Sequence, residues 1–110
     1  MFSRVQFRVE GTIEERETGR PLAGLIVQAY DKDLIFDDYL GRDITDELGR
    51  FSIEFNEDLF RDFSELEPDL YLRVYDSRGS RLLHTTPTHR NLRSDLELRI
   101  LLPDAGSPPA

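Results

Sequence analysis

Short segments in which apolar and polar residues alternate occur along most of the chain. In residues 4–13, for example, Val5, Phe7 and Val9 alternate with charged or amide side chains. Successive side chains of an extended strand point to opposite faces, so a period of two indicates strands with one buried face. The segments that we predict as strands are residues 4–13, 24–31, 43–46, 50–55, 69–76, 81–86 and 95–102.

Turn-forming residues separate these segments. Gly19 and Pro21 mark the first turn, and the sequences Asp-Glu-Leu-Gly at 46–49 and Asp-Ser-Arg-Gly-Ser at 76–80 predict tight turns. Asp46 is expected to bond backbone groups of its own turn, with Gly49 at positive φ. Seven short strands joined in this way are typical of a β-sandwich.

Residues 57–67 break the alternation. Their large apolar side chains recur at helical spacing, and a proline follows directly and ends a helix. The apolar residues are Leu59, Phe60, Phe63 and Leu66. We therefore predict one short helix between the fourth and fifth strands.

The length of 110 residues fits one domain, which we place at 1–102, followed by a disordered proline-rich tail at 103–110. No apolar run reaches the roughly 18 residues of a spanning helix, and no signal-peptide core is present. The expected location is cytoplasmic, or within a fragment of a larger exported protein. The absence of cysteine excludes disulfides and thiolate chemistry.

The charge is uneven. The chain carries 22 acidic and 14 basic residues, for a net charge of −8. Residues 31–69 hold 14 acidic residues against 4 basic ones, and the remainder is weakly positive. A net negative chain is a poor ligand for nucleic acid or an anionic membrane surface, so we expect neither nucleic-acid binding nor membrane insertion.

The start of this acidic segment is a candidate calcium site, because hard oxygen ligands are those that calcium takes. The aspartates concerned are Asp31, Asp33, Asp37, Asp38, Asp43 and Asp46. The segment is not an EF-hand, since Phe36 stands where that motif needs glycine and Arg42 where it needs glutamate. In the other interpretation, the carboxylates cap turns and pair with Arg42 and Arg50. No other cofactor is expected.

The same segment contains large apolar side chains. Tyr30, Phe36 and Tyr39, rimmed by acids, have the composition of a partner-binding patch. Alternatively they belong to the core. A solvated linker would not carry so many apolar groups, so we expect a loop at 32–42 that packs against the sandwich.

Several motifs together carry a family resemblance. They are Gly11-Thr12-Ile13, the run from Thr18 to Leu25 (TGRPLAGL), the run from Val27 to Asp31 (VQAYD), Thr45-Asp46 and Gly49-Arg50-Phe51. Across residues 5–102 the sequence resembles the transthyretin-like (prealbumin-like) superfamily, in particular its carboxypeptidase-regulatory-like accessory domains. The resemblance implies a seven-stranded antiparallel Greek-key β-sandwich.

The same resemblance implies a non-catalytic accessory module that docks onto, or stabilises, a larger bacterial protein assembly. The expected partner is another protein or a second copy of the chain. A calcium-dependent carbohydrate- or cell-wall-binding module is an alternative.

A small enzyme is the competing class. Hydroxyisourate hydrolases of the superfamily need paired histidines, an arginine and a C-terminal Tyr-Arg-Gly-Ser. The nearest string here is Ser-Arg-Gly-Ser at 77–80, in mid-chain and without the tyrosine. His84, His89 and Asp95 can be drawn as a hydrolytic or metal constellation, but no nucleophile-elbow motif accompanies them. We expect no enzymatic activity.

The superfamily's intradiol dioxygenases bind iron through two tyrosines and two histidines. The chain offers Tyr71 and Tyr75 with the two histidines, but it lacks the surrounding pattern of that family.

Overall fold

The computed structural model describes residues 6–33, 35–56 and 67–103. These residues form seven strands: β1 (Gln6–Glu15), β2 (Ile26–Asp31), β3 (Asp38–Ile44), β4 (Arg50–Asn56), β5 (Leu70–Tyr75), β6 (Leu82–Thr85) and β7 (Leu96–Leu102). The prediction of an all-β chain with seven strands is confirmed. The predicted helix falls on residues 57–66, and most of the predicted tail on residues 104–110; both lie outside the described residues.

The strands form two sheets. The three-stranded sheet has the order β4-β1-β7, and the four-stranded sheet has the order β3-β2-β5-β6. Apolar side chains from both sheets form one buried cluster, which includes Val9 and Ile53 from the first sheet and Val27 and Leu72 from the second. The core therefore lies between the two sheets.

The prediction of an entirely antiparallel arrangement is wrong at one pair, because β1 and β7 run parallel. The connection after β6 crosses from the four-stranded sheet to the other sheet, so β7 can enter beside β1 in the same direction. The two backbones approach closely at Gly11, where an added Cβ would overlap the carbonyl group of Leu98.

The turn at Asp46–Gly49 forms as predicted. Gly49 has a φ of 72°, and its amide donates to the Asp46 carbonyl at 2.9 Å. The Asp46 carboxylate accepts hydrogen bonds from the amides of Leu48 and Arg50, each at 2.9 Å. The turn leads into β4, where Phe51 begins the buried face.

The third strand differs from its prediction. It covers Asp38–Ile44 instead of residues 43–46, so residues 38–42 of the expected loop at 32–42 belong to a strand. The pairing of β2 with β3 shifts between Ala29 and Tyr30, and Leu40 is the extra residue of this bulge. One extra residue reverses the alternation of side chains along a strand. Leu40 thereby turns inward and Tyr39 outward, a pattern that strict alternation does not predict.

Candidate functional site

The outward face of the four-stranded sheet carries three rows of side chains that cross its strands. Residues paired in register point to the same side of a sheet, so the pairings define these rows. The tyrosine row is Tyr39, Tyr30 and Tyr71; the arginine row is Arg42, Gln28, Arg73 and Thr85; the apolar row is Ile44, Ile26, Tyr75 and Leu82. All four tyrosines of the chain lie on this surface, which we call the four-stranded face.

The tyrosine row is a set of touching rings. Tyr30 stacks on Tyr71 with ring centroids 5.4 Å apart, and it meets Tyr39 edge to face at 5.8 Å. The Tyr30 hydroxyl donates a 2.6 Å hydrogen bond to Gln28 of the next row. Such ring pairs each stabilise a protein by roughly 0.5–1.5 kcal/mol beyond area burial, so the row is a fixed platform.

Tyr71 anchors this platform to the β2–β3 hairpin. Its hydroxyl donates a hydrogen bond to the Asp37 carboxylate, which also accepts the amide of Asp33 at 3.0 Å. Burial of the ring, together with the hydrogen bond to Asp37, raises the pKa of Tyr71 to about 12. The hydrogen bonds from Tyr71 and Asp33 lower the pKa of Asp37. Partial burial is also the main cause that raises the pKa of Tyr30.

The arginine row lies between the other two rows. The guanidinium carbon of Arg73 is 5.0 Å from the ring centroid of Tyr30 and 5.6 Å from that of Tyr71. The ammonium group of Lys32 lies 5.9 Å from the Tyr71 centroid. Among the described residues, neither Arg42 nor Arg73 forms an ion pair with a carboxylate. The face therefore presents cationic charge in a chain whose net charge is −8.

The apolar row borders the arginine row on the side away from the tyrosine row. Ile44 and Leu82, at its two ends, are 50% and 48% exposed. Ile26 and Tyr75 lie between them and are partly buried. Large apolar side chains on the open side of a sheet, rimmed by polar groups, are typical of an interaction surface.

The tip of the β2–β3 hairpin extends the tyrosine row. Ile35 and Phe36 are each 81% exposed, and Tyr39 is 49% exposed. The expectation that residues 32–42 pack against the sandwich is therefore wrong for these three residues, while Tyr30 is partly buried. Ile35 and Phe36 lie between β2 and β3 and outside both strands, and Tyr39 is on the outward side of β3, which is an edge strand of its sheet.

The outward face of the three-stranded sheet has a different character. Arg8 pairs with Glu54 across β1 and β4, and Arg99 pairs with Glu14 across β7 and β1 at 3.0 Å. Opposite charges that neutralise each other across strands are typical of a solvated surface. The two outward faces are thus chemically unlike each other.

A cleft of about 500 Å³ lies beside this second face, where β3 meets β1 and β4. Four carboxylates line it, and Arg50 is the basic residue among its lining side chains. The four are Glu10, Glu97, Asp43 and Asp46.

The structure separates the six aspartates predicted to bind calcium. Asp31 and Asp38 are register partners at one end of β2 and β3, and Asp33 and Asp37 lie in the adjoining hairpin. Asp43 lies at the opposite end of β3, roughly 15 Å away along the strand. Within the described ranges, no group of three or more acidic or histidine side chains is arranged to hold a metal ion.

Several of these aspartates bond backbone amides instead. Asp31 is fully buried and accepts the amide of Asp69 at 2.7 Å. Asp43 accepts the amides of Ile44 and Ser52, both at 2.8 Å, and so links β3 to β4. Asp46 caps its turn and pairs with Arg50 at 3.4 Å, as one of the two interpretations predicts.

The candidate hydrolytic residues are held by separate elements. His84 is in β6, opposite Val74 of the four-stranded sheet. His89 exchanges two backbone hydrogen bonds with Leu70, and the Asp95 carboxylate accepts the amide of Arg8 in the other sheet at 3.0 Å. No hydrogen bond within the described part of the chain joins the two histidines and Asp95.

Arg42 and Arg73 did not stand out in the sequence. Arg73 lies opposite the apolar residues of the alternating segment 69–76, and a polar residue there ordinarily faces solvent alone. Arg42 falls within the expected loop at 32–42, where the sequence suggests only pairing with the aspartates. The pairing of strands that are distant in sequence brings both arginines beside the tyrosines.

Within the described residues, no helix has the length and apolarity required to cross a bilayer.

No protein-family model and no curated protein matches this sequence. Among solved structures, a 9R-lipoxygenase from Cyanothece PCC8801 is similar, with a TM-score of 0.66 and 27% identity. That match covers 86% of this chain and 16% of the lipoxygenase chain, so this chain spans less than a fifth of the enzyme's length.

A second solved structure aligns more weakly. It is the dioxygenase domain of a dioxygenase–carbohydrate-binding protein fusion from Streptomyces sp. SirexAA-E, with a TM-score of 0.48 and 14% identity. The alignment covers 89% of this chain and 82% of that domain. A likeness of this strength carries no functional conclusion.

Proposed function

We propose that the chain is a non-catalytic accessory module, a Greek-key sandwich of the transthyretin-like type, that docks onto a protein partner through its four-stranded face. The observation that carries this proposal is the contrast between its two outward faces. One bears four tyrosines, two arginines that form no ion pair with the described residues, and exposed isoleucine and leucine. The other bears cross-strand ion pairs beside the carboxylates of Glu10 and Glu97.

The composition of the four-stranded face supports a macromolecular partner. Tyrosine and arginine are enriched at the centres of protein interfaces, where they supply much of the binding energy. Four strands spaced about 4.8 Å apart and rows about 7 Å apart give a patch roughly 15–20 Å on each side. A flat patch of this extent suits a small protein–protein interface better than a small-molecule site, which is normally concave.

The similarity to the lipoxygenase chain supports the accessory role. A segment resembling 86% of this chain occupies 16% of that longer chain, so a unit of this size occurs there as a minor part of a larger protein. For this chain, docking onto or stabilising a larger assembly follows the same pattern.

The non-catalytic part of the proposal has its own test. A hydroxyisourate hydrolysis assay with the purified chain should give the uncatalysed rate, and His84→Ala and His89→Ala should leave that rate unchanged. Turnover that is lost in both variants would assign the chain to the hydrolases.

The docking part is tested by site-specific photo-crosslinking in the cells that make the protein. A benzophenone amino acid replaces Tyr39 on the four-stranded face or, as a matched control, Glu97 on the outward face of the other sheet. Both positions are exposed, so neither replacement disturbs the core. We expect discrete adducts from position 39 and none from position 97. Equal labelling from both positions would contradict docking through this face.

A further inference from the structure

We infer that the partner surface bound by the four-stranded face is acidic, with carboxylates set among apolar side chains. This inference rests on the proposed docking function and names the chemistry of its partner. The arginine row carries it, because that row lies at the centre of the face between two rows of aromatic and aliphatic side chains.

The two arginines of this row form no ion pair with the described residues, a condition that they share with Arg16, Arg78 and Arg81. Acidic residues outnumber basic ones by 22 to 14, and most ionic contacts elsewhere neutralise an arginine, as in Arg20–Glu15, Arg93–Glu67 and Arg99–Glu14. Arg42 and Arg73 form no such pair among the described residues. A carboxylate brought by a partner would complete charge-assisted hydrogen bonds for which the described residues supply no carboxylate.

Arg73 is prepared for this role by its neighbours. Its guanidinium lies over the Tyr30 and Tyr71 rings, which stack on each other and fix the side chain across two strands. A side chain already held in one geometry loses less entropy on binding, and an arginine on an aromatic face keeps its charge available to a planar carboxylate.

The distance between the two arginines of the row determines the arrangement of carboxylates that a partner surface would need. Arg42 and Arg73 both pair with Gln28, from opposite sides, so they are two strand spacings apart, about 10 Å. Apolar and aromatic rows flank them at about 7 Å on either side. The matching surface has two carboxylates about 10 Å apart, with aliphatic or aromatic groups beside them.

A second copy packed face to face fits less well. A two-fold axis through the centre of the face would place the arginine row of one copy against the same row of the other. Like charges opposed in this way disfavour association, because neither guanidinium would find a carboxylate.

The experiment selects peptides from a random 12-residue display library on the immobilised chain. The peptides are then titrated against the wild type, the double variant Arg42→Gln/Arg73→Gln, the single variant Arg42→Gln and Tyr39→Ala. Arg42 is exposed, so the single variant keeps the test valid if Arg73 also supports folding. The matched control is Arg8→Gln/Arg99→Gln on the other outward face, where both arginines are ion-paired.

We expect enrichment of aspartate and glutamate beside apolar residues, although a chain of net charge −8 repels acidic peptides overall. The double variant should bind the selected peptides about tenfold or more weakly, the single variant should also bind them more weakly, and the control should match the wild type.

Four outcomes would overturn the inference. Peptides that lose binding with Tyr39→Ala but not with Arg42→Gln/Arg73→Gln would leave docking in place and remove the acidic preference. Absence of enrichment, or binding insensitive to all of these variants, would remove the docking function as well. Self-association of the wild type that is lost with Tyr39→Ala would assign the face to a second copy of the chain.

Discussion

The guanidinium of Arg73 lies over the ring of Tyr30, a residue of the neighbouring strand, at 5.0 Å from the ring centroid. This contact joins the arginine row to the tyrosine row on a surface that an ordinary solvated sheet would cover with ion pairs. A cation held on aromatic rings contributes roughly 0.5–1 kcal/mol at exposed sites and more when a partner excludes water. Docking would therefore strengthen an interaction that the free chain already makes.

The first prediction concerns Tyr71→Phe. Removing the hydroxyl abolishes its hydrogen bond to Asp37 and should lower the free energy of unfolding by roughly 1–2 kcal/mol at neutral pH. The pKa of Tyr71 is raised to about 12 in the folded chain, whereas the pKa of a tyrosine in an unfolded chain is about 10. The contribution of Tyr71 to the free energy of unfolding is therefore complete below about pH 10. The contribution is lost as the pH rises from 10 through 12.

Urea unfolding between pH 7 and 12 measures this effect, and absorbance near 295 nm follows ionisation of the tyrosines. Tyr71→Phe should flatten the alkaline loss of stability and remove a tyrosine ionisation at about pH 12 from the absorbance titration. Tyr39→Phe is the control, since the Tyr39 hydroxyl forms no hydrogen bond with the described residues. An alkaline profile of Tyr71→Phe identical to that of the wild type would contradict the assigned contact.

The second prediction concerns Thr45→Val. Thr45 is buried, and its hydroxyl accepts the Leu25 amide at 2.9 Å and donates to the Leu22 carbonyl at 2.7 Å. Valine has nearly the same shape but leaves both backbone groups unpaired in the interior. The loss should be roughly 2–4 kcal/mol by denaturant unfolding. Thr12→Val, at a partly exposed position on β1, should change stability by less than about 1 kcal/mol. Equal losses of stability in Thr45→Val and Thr12→Val would contradict the stabilising role of the two Thr45 hydrogen bonds.

The third prediction compares two glycines with nearly the same backbone conformation. Gly49 and Gly19 have φ values of 72° and 74°. A Cβ at Gly49 would lie 2.5 Å from the Ile13 carbonyl oxygen, whereas a Cβ at Gly19 meets nothing within 4 Å. Both alanine variants incur the left-handed strain of about 1–2 kcal/mol, and Gly49→Ala also incurs the steric conflict.

Thermal or urea unfolding of the two variants separates these causes. Gly49→Ala should be less stable than Gly19→Ala by roughly 1 kcal/mol or more. If the two variants lose the same stability, the close approach of the Asp46–Gly49 turn to β1 is not what requires glycine there.

Local chemistry made much of the fold predictable. The alternation at residues 50–55 predicted β4 almost to the residue, because both of its faces follow the simple period of two. The turn at Asp46–Gly49 was equally clear, since an aspartate and a glycine each have a specific role in it. These features depend on residues close together in the chain.

Features set by distant pairing were not predictable. The bulge that turns Tyr39 outward depends on the register of β3 against β2, and the parallel contact of β7 with β1 depends on where a connection crosses between sheets. Prediction of the four-stranded face requires both the local sequence pattern and the pairing of strands that are distant in sequence. Tyr30 and Tyr39 were recognised as an aromatic patch, but Arg73 joins them only through the pairing of β5 with β2.

The most direct measurement of docking through the four-stranded face is the dissociation constant of the chain with the protein that cross-links at position 39. Wild type, Tyr39→Ala and Glu97→Ala are compared, and unfolding curves check that all three are folded. We predict that Tyr39→Ala binds about tenfold or more weakly and that Glu97→Ala binds within about twofold of the wild type. Unchanged affinity for Tyr39→Ala, or a larger loss for Glu97→Ala, would contradict docking through this face.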